Sequence, residues 1–259
     1  MALLPNLPNL PNLPAMNSLS REELEERCVY RQGGLWVLNK PHDLPTSGRS
    51  LVDPDCLQAQ LIEQHGAMVW AVHQLDADTT GLNLFVTEKR LVHLFKQRMT
   101  WPRCVKSYLA VLQGIPDSDQ IHQEAPIGAH PEDERQGLGV NPDGRAASTH
   151  FEIVARGRDV SLARVRIETG RTHQIRIHAA DMGHPLVGEE WYRDPPCSLH
   201  PRQALHAHRL SFRDGDEPRN FEAPIPEDLH GLCDRLGLDL SLLASAPGDE
   251  RRASISVRQ

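Results

Sequence analysis

Short apolar runs with two-residue alternation dominate the chain, and only a few stretches carry helical periodicity. Leu35-Trp36-Val37-Leu38-Asn39-Lys40 reads as a strand closed by Pro41. Leu82 to Thr87 predicts a second strand. Glu88 to Met99 then follows as a helix, with Leu91, Val92, Phe95 and Met99 on one face. Further strands are expected at Ser107–Leu112, Thr149–Val154, Val160–Ile167 and Leu205–Phe212. Thr172 to Met182 reads as a helix, because Ile175, Ala179 and Met182 share a face and Gly183 with Pro185 stops it. Near the start, Ser20-Arg21-Glu22-Glu23 has the pattern of a capping box opening a short helix. Strands outnumber helices and several are joined by short turns. The expected class is α+β with a mixed, largely antiparallel sheet.

The pattern also sets expected limits. Leu-Pro-Asn recurs three times between Leu4 and Asn12, and repeated proline opposes both helix and ladder pairing. Residues 1–16 are therefore expected to be a disordered tail. Residues 17–243 are expected to form a single catalytic domain, and the small, polar 244–259 a second disordered tail.

Composition changes the picture in three places. Hydrophobic content of 39% and charged content of 24% over 259 residues are those of an ordinary globular protein. No apolar run approaches the roughly 20 residues that span a bilayer, and no signal-peptide pattern opens the chain. Five scattered cysteines (Cys28, Cys56, Cys104, Cys197, Cys233) without a C-x-x-C pair suit a reducing cytoplasm rather than a zinc site. A net charge of -7 opposes indiscriminate nucleic-acid binding, yet the charge is segregated. Lys89, Arg90, Lys96, Arg98, Arg103 and Lys106 fall in one stretch that holds no acid. A basic surface on an acidic protein is compatible with selective RNA binding.

The densest chemistry lies in His73-Gln74-Leu75-Asp76-Ala77-Asp78-Thr79-Thr80-Gly81-Leu82, which sets two carboxylates at a glycine-containing turn between apolar segments. Asp76 and Asp78 could simply hydrogen-bond the turn. They are also similar to the Asp-x-Asp-x-Thr loop of haloacid-dehalogenase-like phosphatases, which would make the protein a magnesium-dependent phosphatase. Asp76 alone, as a nucleophile, would need a cation to stay ionised and oriented. Arg176, near the start of the later helix, is the best candidate for that cation, and Arg171 could contact phosphate. His173 and His178 are five apart, poor spacing for two metal ligands on one helix face. Tyr108, at the start of a strand behind the basic helix, could stack on a base. A non-catalytic RNA-binding module would keep the basic helix and need no ionised Asp76.

Six segments in order resemble the RluA-like family of RNA pseudouridine synthases. They are Leu38-Asn39-Lys40-Pro41, then His73-Gln74-Leu75-Asp76 with Thr79-Thr80-Gly81-Leu82, and Lys106-Ser107-Tyr108-Leu109-Ala110-Val111. Gly170-Arg171-Thr172-His173-Gln174-Ile175-Arg176-Ile177-His178, Gly183-His184-Pro185 and Leu205-His206-Ala207 follow. The resemblance implies a mixed-sheet catalytic domain with a central cleft, an isomerase of tRNA or rRNA, and no cofactor, metal or obligate protein partner. It implies that Asp76 is the catalytic aspartate, Arg176 its ion-pair partner and Tyr108 the residue facing the target base. Gln74, Lys89, Arg90, Lys96, Arg98, Lys106 and Arg171 are the expected RNA contacts. The family more often has Arg where Gln74 stands and Ser where Thr80 stands. Gln74 thus keeps hydrogen bonding and loses a charge.

Overall fold

A computed structural model describes residues 18–48, 55–130 and 137–245. The expected tail at 1–16 lies outside these residues, as does 246–259. The elements in chain order are α1 (Arg21–Glu26), β1 (Cys28–Gln32), β2 (Leu35–Lys40), α2 (Leu57–His65), β3 (Trp70–Ala71) and β4 (Thr80–Val86). Next come α3 (Lys89–Arg98), β5 (Cys104–Gln113), β6 (Gln120–Gln123), β7 (Ile127–Ala129), β8 (Leu138–Val140) and β9 (Thr149–Arg156). The remainder are β10 (Val160–Ile167), α4 (Gln174–Asp181), β11 (Leu205–Asp214), β12 (Glu217–Glu222), α5 (Glu227–Leu236) and α6 (Leu242–Ser245). Helix α6 thus carries regular structure two residues beyond Leu243, into the stretch read from sequence as tail.

Ten strands form one sheet, in the order β1-β2-β4-β11-β5-β10-β9-β6, with β12 also on β11 and β3 also on β4. Its pairings are antiparallel except for β4 with β11, where Thr80 and Gly81 lie beside His206 and Ala207. This is the largely antiparallel sheet expected from the pattern. A phosphatase of the haloacid-dehalogenase kind is built on a parallel sheet, and this sheet does not supply one. Gly81 shows why the join is possible: its φ is +109°, and a Cβ there would collide with the Ala207 backbone.

The period-two alternation sorts the core. Leu35 and Val37 of β2 pack with Phe95 of α3 and with Met99, its C-cap, whereas Trp36 and Leu38 pack with Leu24 of α1 and Leu57 and Leu61 of α2. On β5, Tyr108, Ala110 and Leu112 share a cluster with Ile175 and Ala179 of α4. Val111, facing the other way, joins Leu229 and Leu232 of α5. Helices α3 and α4 therefore stand on one face, with α1, α2 and α5 on the other. The Ser20–Glu23 capping box forms as read, with both reciprocal bonds present. Among the described residues, no helix is long and apolar enough to cross a membrane.

Candidate active site

A cavity of about 490 Å³ opens on the face shared by α3 and α4. Asp76, Tyr108 and Arg176 all line it, as do Gln74, Lys96, Lys106 and Arg171. Lys106 and Tyr108 arrive together because they sit two apart on β5 and share a face. Lys89, Arg90 and Arg98, expected to contact RNA, do not line the cavity. Lys89 and Arg90 are exposed at the start of α3, Arg90 pairs with Glu88 at 2.6 Å, and Arg98 pairs with Asp214. Asp78 is also outside the lining, so only one of the loop's two carboxylates faces the cavity.

The loop that carries Asp76 is held by side chains from distant segments. The Thr46 hydroxyl accepts from the Leu75 N–H at 3.0 Å and lies 2.8 Å from Asn83 Oδ1. Lys40 is 1% exposed and donates to the carbonyls of Pro41, Leu44 and Ala77 at 2.7–2.8 Å. Burial pulls its pKa down to about 7, against the pull of Asp78 and Asp76. Arg202 donates to the Asp78 carbonyl at 2.9 Å while gripping Asp228 of α5 with two bonds. Leu75, Ala77 and Asp78 are thus tethered on either side of Asp76, whose carboxylate faces the cavity.

Arg176 approaches that carboxylate, with Nη1 3.5 Å from Asp76 Oδ2. Its shorter bonds go elsewhere: Nε and Nη2 donate to the two oxygens of Glu189 at 2.9 and 2.7 Å. This planar two-point pairing fixes the guanidinium and leaves one edge for Asp76. Burial acts against the charge of Arg176, but the Glu189 bonds outweigh it and hold its pKa above the ordinary value. Burial likewise opposes ionisation of Glu189, and the Arg176 bonds overcome it, so its pKa falls. Glu189 also accepts from the backbone N–H groups of Trp191 at 3.0 Å and Tyr192 at 3.4 Å. Gly188 makes the tight turn before it, with φ of +78° and no room for a Cβ against the Arg202 carbonyl.

A second line reaches Asp76 from His173, the N-cap of α4, whose φ of 55° is in the left-handed region unusual for a non-glycine residue. Its Nε2 is 3.8 Å from Asp76 Oδ1, and its Nδ1 is 2.7 Å from the Tyr192 hydroxyl. Burial lowers the His173 pKa, and Asp76 opposes the shift. Tyr108 is buried, which pushes its phenol well above the ordinary range, with the Asp76 charge adding to the effect. It is a neutral phenol at neutral pH. The Lys106 pKa is lowered by burial.

Sequence reasoning brought Asp76, Arg176 and Tyr108 to one cavity and missed Glu189, Tyr192 and Lys40 as parts of its support. The signal for Glu189 was the Gly188 turn followed by an acid and two aromatic residues, which identifies a corner and says nothing of what the corner faces.

The sequence family described as RNA pseudouridylate synthase matches residues 34–181, more than half of the chain. The chain belongs to the RluA-like family of RNA pseudouridine synthases. A Bacillus subtilis (strain 168) relative, the RNA pseudouridine synthase YlyB, is 39% identical over 171 residues, covering 64% of this chain and 55% of the relative. The ribosomal large subunit pseudouridine synthase D of Neisseria meningitidis serogroup A is 36% identical over 249 residues, covering 86% of this chain and 64% of the relative. The chain therefore spans between about half and two thirds of the length of these two relatives. Among solved structures, Human RNA Pseudouridylate Synthase Domain Containing 1 superposes with a TM-score of 0.69 at 26% identity, over 89% of this chain and 97% of that one. This family member thus shares its fold with a human protein of the same class. Five of the six segments that carried the resemblance line the cavity or support its loops, and Gly183-His184-Pro185 packs instead against the end of β5 at Gln113.

Proposed function

We propose that the protein isomerises uridine to pseudouridine within structured RNA, with Asp76 as the catalytic carboxylate. The observation that carries this reading is the convergence of Asp76, Arg176 and Tyr108 on one cavity in a member of this family. The target uridine leaves its stack to reach the cavity, which costs least in an unpaired loop. Asp76 promotes cleavage of the N1–C1′ bond, either by attack on the ribose or by removing a proton from it. The freed uracil turns and rejoins through C5, so the C5 proton leaves and N1 regains one. Arg176, itself fixed by Glu189, holds and aims the Asp76 carboxylate. Tyr108 supports the base, and as a neutral phenol it is suited to donate a hydrogen bond.

Lys96, Lys106 and Arg171 hold RNA phosphates at the cavity rim, and Gln74 adds a hydrogen bond without charge. Large-subunit ribosomal RNA is the first substrate to try, because the Neisseria relative is named for it. The setting is the cytoplasm, and residues 17–243 act as one catalytic domain.

The test is tritium release from RNA transcribed with 5-tritiated uridine, comparing the parent with Asp76→Asn. The parent should release tritium and the variant should not, although it keeps the parent's melting temperature and RNA affinity. Turnover by Asp76→Asn near the parent rate would falsify the assignment. A parent that releases no tritium from ribosomal or transfer RNA would favour the RNA-binding module.

A further inference from the structure

Trp191 stands at the edge of the site and is 53% exposed, a large apolar surface for a residue type that is usually well covered. Its placement is tightly specified. Its backbone N–H donates to Glu189 Oε1 at 3.0 Å, the same oxygen that accepts from Arg176 Nη2. The Arg176 guanidinium carbon lies over its ring, 5.2 Å from the centroid, and the His173 imidazole meets it edge-on at 5.1 Å. A tryptophan anchored this firmly, and still half in water, is a preformed platform.

We propose that Trp191 stacks an unpaired nucleobase of the substrate RNA next to the target uridine, making it a specificity-determining residue outside the reacting atoms. The inference rests on the isomerase reading above. His173 and Arg176, which touch the ring, also line the cavity, so a base on Trp191 sits one neighbour away from a base inside it. Drawing a uridine into the cavity unstacks its neighbours, and an aromatic face replaces the lost partner. The stacked surface recognises the π-face common to all bases, while the arginine beneath it adds cation–π attraction to the ring. The preference therefore falls on single-stranded flanking sequence rather than on one base identity.

The probes are pentauridylate and its counterpart in which the two nucleotides flanking the central uridine are abasic, titrated into the full chain. Parent tryptophan fluorescence should quench with pentauridylate, and affinity should drop roughly tenfold with the abasic-flanked probe, the lower part of the range for one base stacked on an aromatic ring. Trp191→Ala should lose that tenfold on pentauridylate and nothing further on the abasic-flanked probe, and Trp191→Phe should recover most of it. On a ribosomal RNA transcript, Trp191→Ala should raise KM and leave the saturating rate near the parent's, since Arg176 keeps Glu189. Equal losses on both probes, or a fallen saturating rate with unchanged KM, would show a structural role and overturn the proposal. Turnover by the parent with no effect of Trp191→Ala on either probe also overturns it and leaves the isomerase reading intact. Base-dependent binding without turnover supports the platform and removes the isomerase.

Discussion

The two walls of the cavity are built on opposite principles. One wall, made of the Asp76 loop, α4 and the corner at Glu189, is buried and fully cross-braced: Arg176 side chain 6% exposed, Glu189 0%, and the loop tethered by Lys40, Thr46 and Arg202. The other wall is the end of α3 and its approach to β5, where the cavity is lined by Lys96, which is exposed, and by Thr100 and Lys106. A carboxylate that must meet one ribose needs fixed geometry, and its partners gain strength where water is excluded. Cations that meet a phosphate backbone act at longer range and tolerate mobility. The difference teaches which substitutions should damage chemistry and which should only weaken binding.

The largest effect is expected from breaking the buried pair. Arg176→Ala strands Glu189 without its counter-ion and frees Asp76, so the protein should lose about 3–5 kcal/mol of stability and most of its turnover. Arg176→Lys should recover part of both, because charge returns without the planar fork. Denaturant unfolding and tritium release measure the two together. Stability and rate equal to the parent's in Arg176→Ala would mean that the wall does not depend on this pair.

Acid tests the buried interior behind the cavity through its neutral histidines. His206 and His178 are fully buried, and burial lowers both pKa values, that of His206 to about 3 from the ordinary 6.5. Below pH 6.5 the unfolded chain takes up protons that these folded imidazoles refuse, so stability should fall as pH drops from 6.5 toward 3. Each such group contributes up to about 1.4 kcal/mol per pH unit. In His206→Asn, one fewer proton should be taken up on unfolding at pH 4.5, as read from the pH dependence of the unfolding free energy. A parent whose stability is flat between pH 6.5 and 4 contradicts the buried-neutral assignment.

The basic wall should respond more gently. Lys96→Ala should weaken RNA binding several-fold, flatten the dependence of log affinity on log salt by about one unit, and leave the single-turnover rate at saturating enzyme unchanged. The smallest change belongs to Lys89→Ala and Arg90→Ala, which are exposed outside the cavity lining and should alter affinity by less than about twofold, because salt screens exposed charges that make no direct contact. A strong loss from either would extend the RNA path along the outside of α3 and erase the distinction drawn between cavity-lining and outlying cations.

Much of this arrangement was written in the chain. The alternation of β2 and β5, the apolar face of α3 and the capping box of α1 are local patterns, and each appears where its periodicity placed it. The order of six motifs identified the family, and the spacing of Lys106 and Tyr108 put both on one strand face. Helix α5 carried the same kind of signal, with Leu229, Leu232, Cys233 and Leu236 at helical spacing, and was missed; α2 and β1 have weaker patterns and were not read in advance. Only the tertiary structure decided that Arg176 spends its two strongest bonds on Glu189, thirteen residues away around a turn. It alone brought Lys40 under Ala77 and Arg202 under Asp78, across 37 and 124 residues. The physical reason is range. Periodicity and turn chemistry act over a few residues and leave a trace in the local sequence. A buried hydrogen bond between remote segments is chosen by which groups the packed sheet leaves without water, and that is settled only when the whole chain has folded.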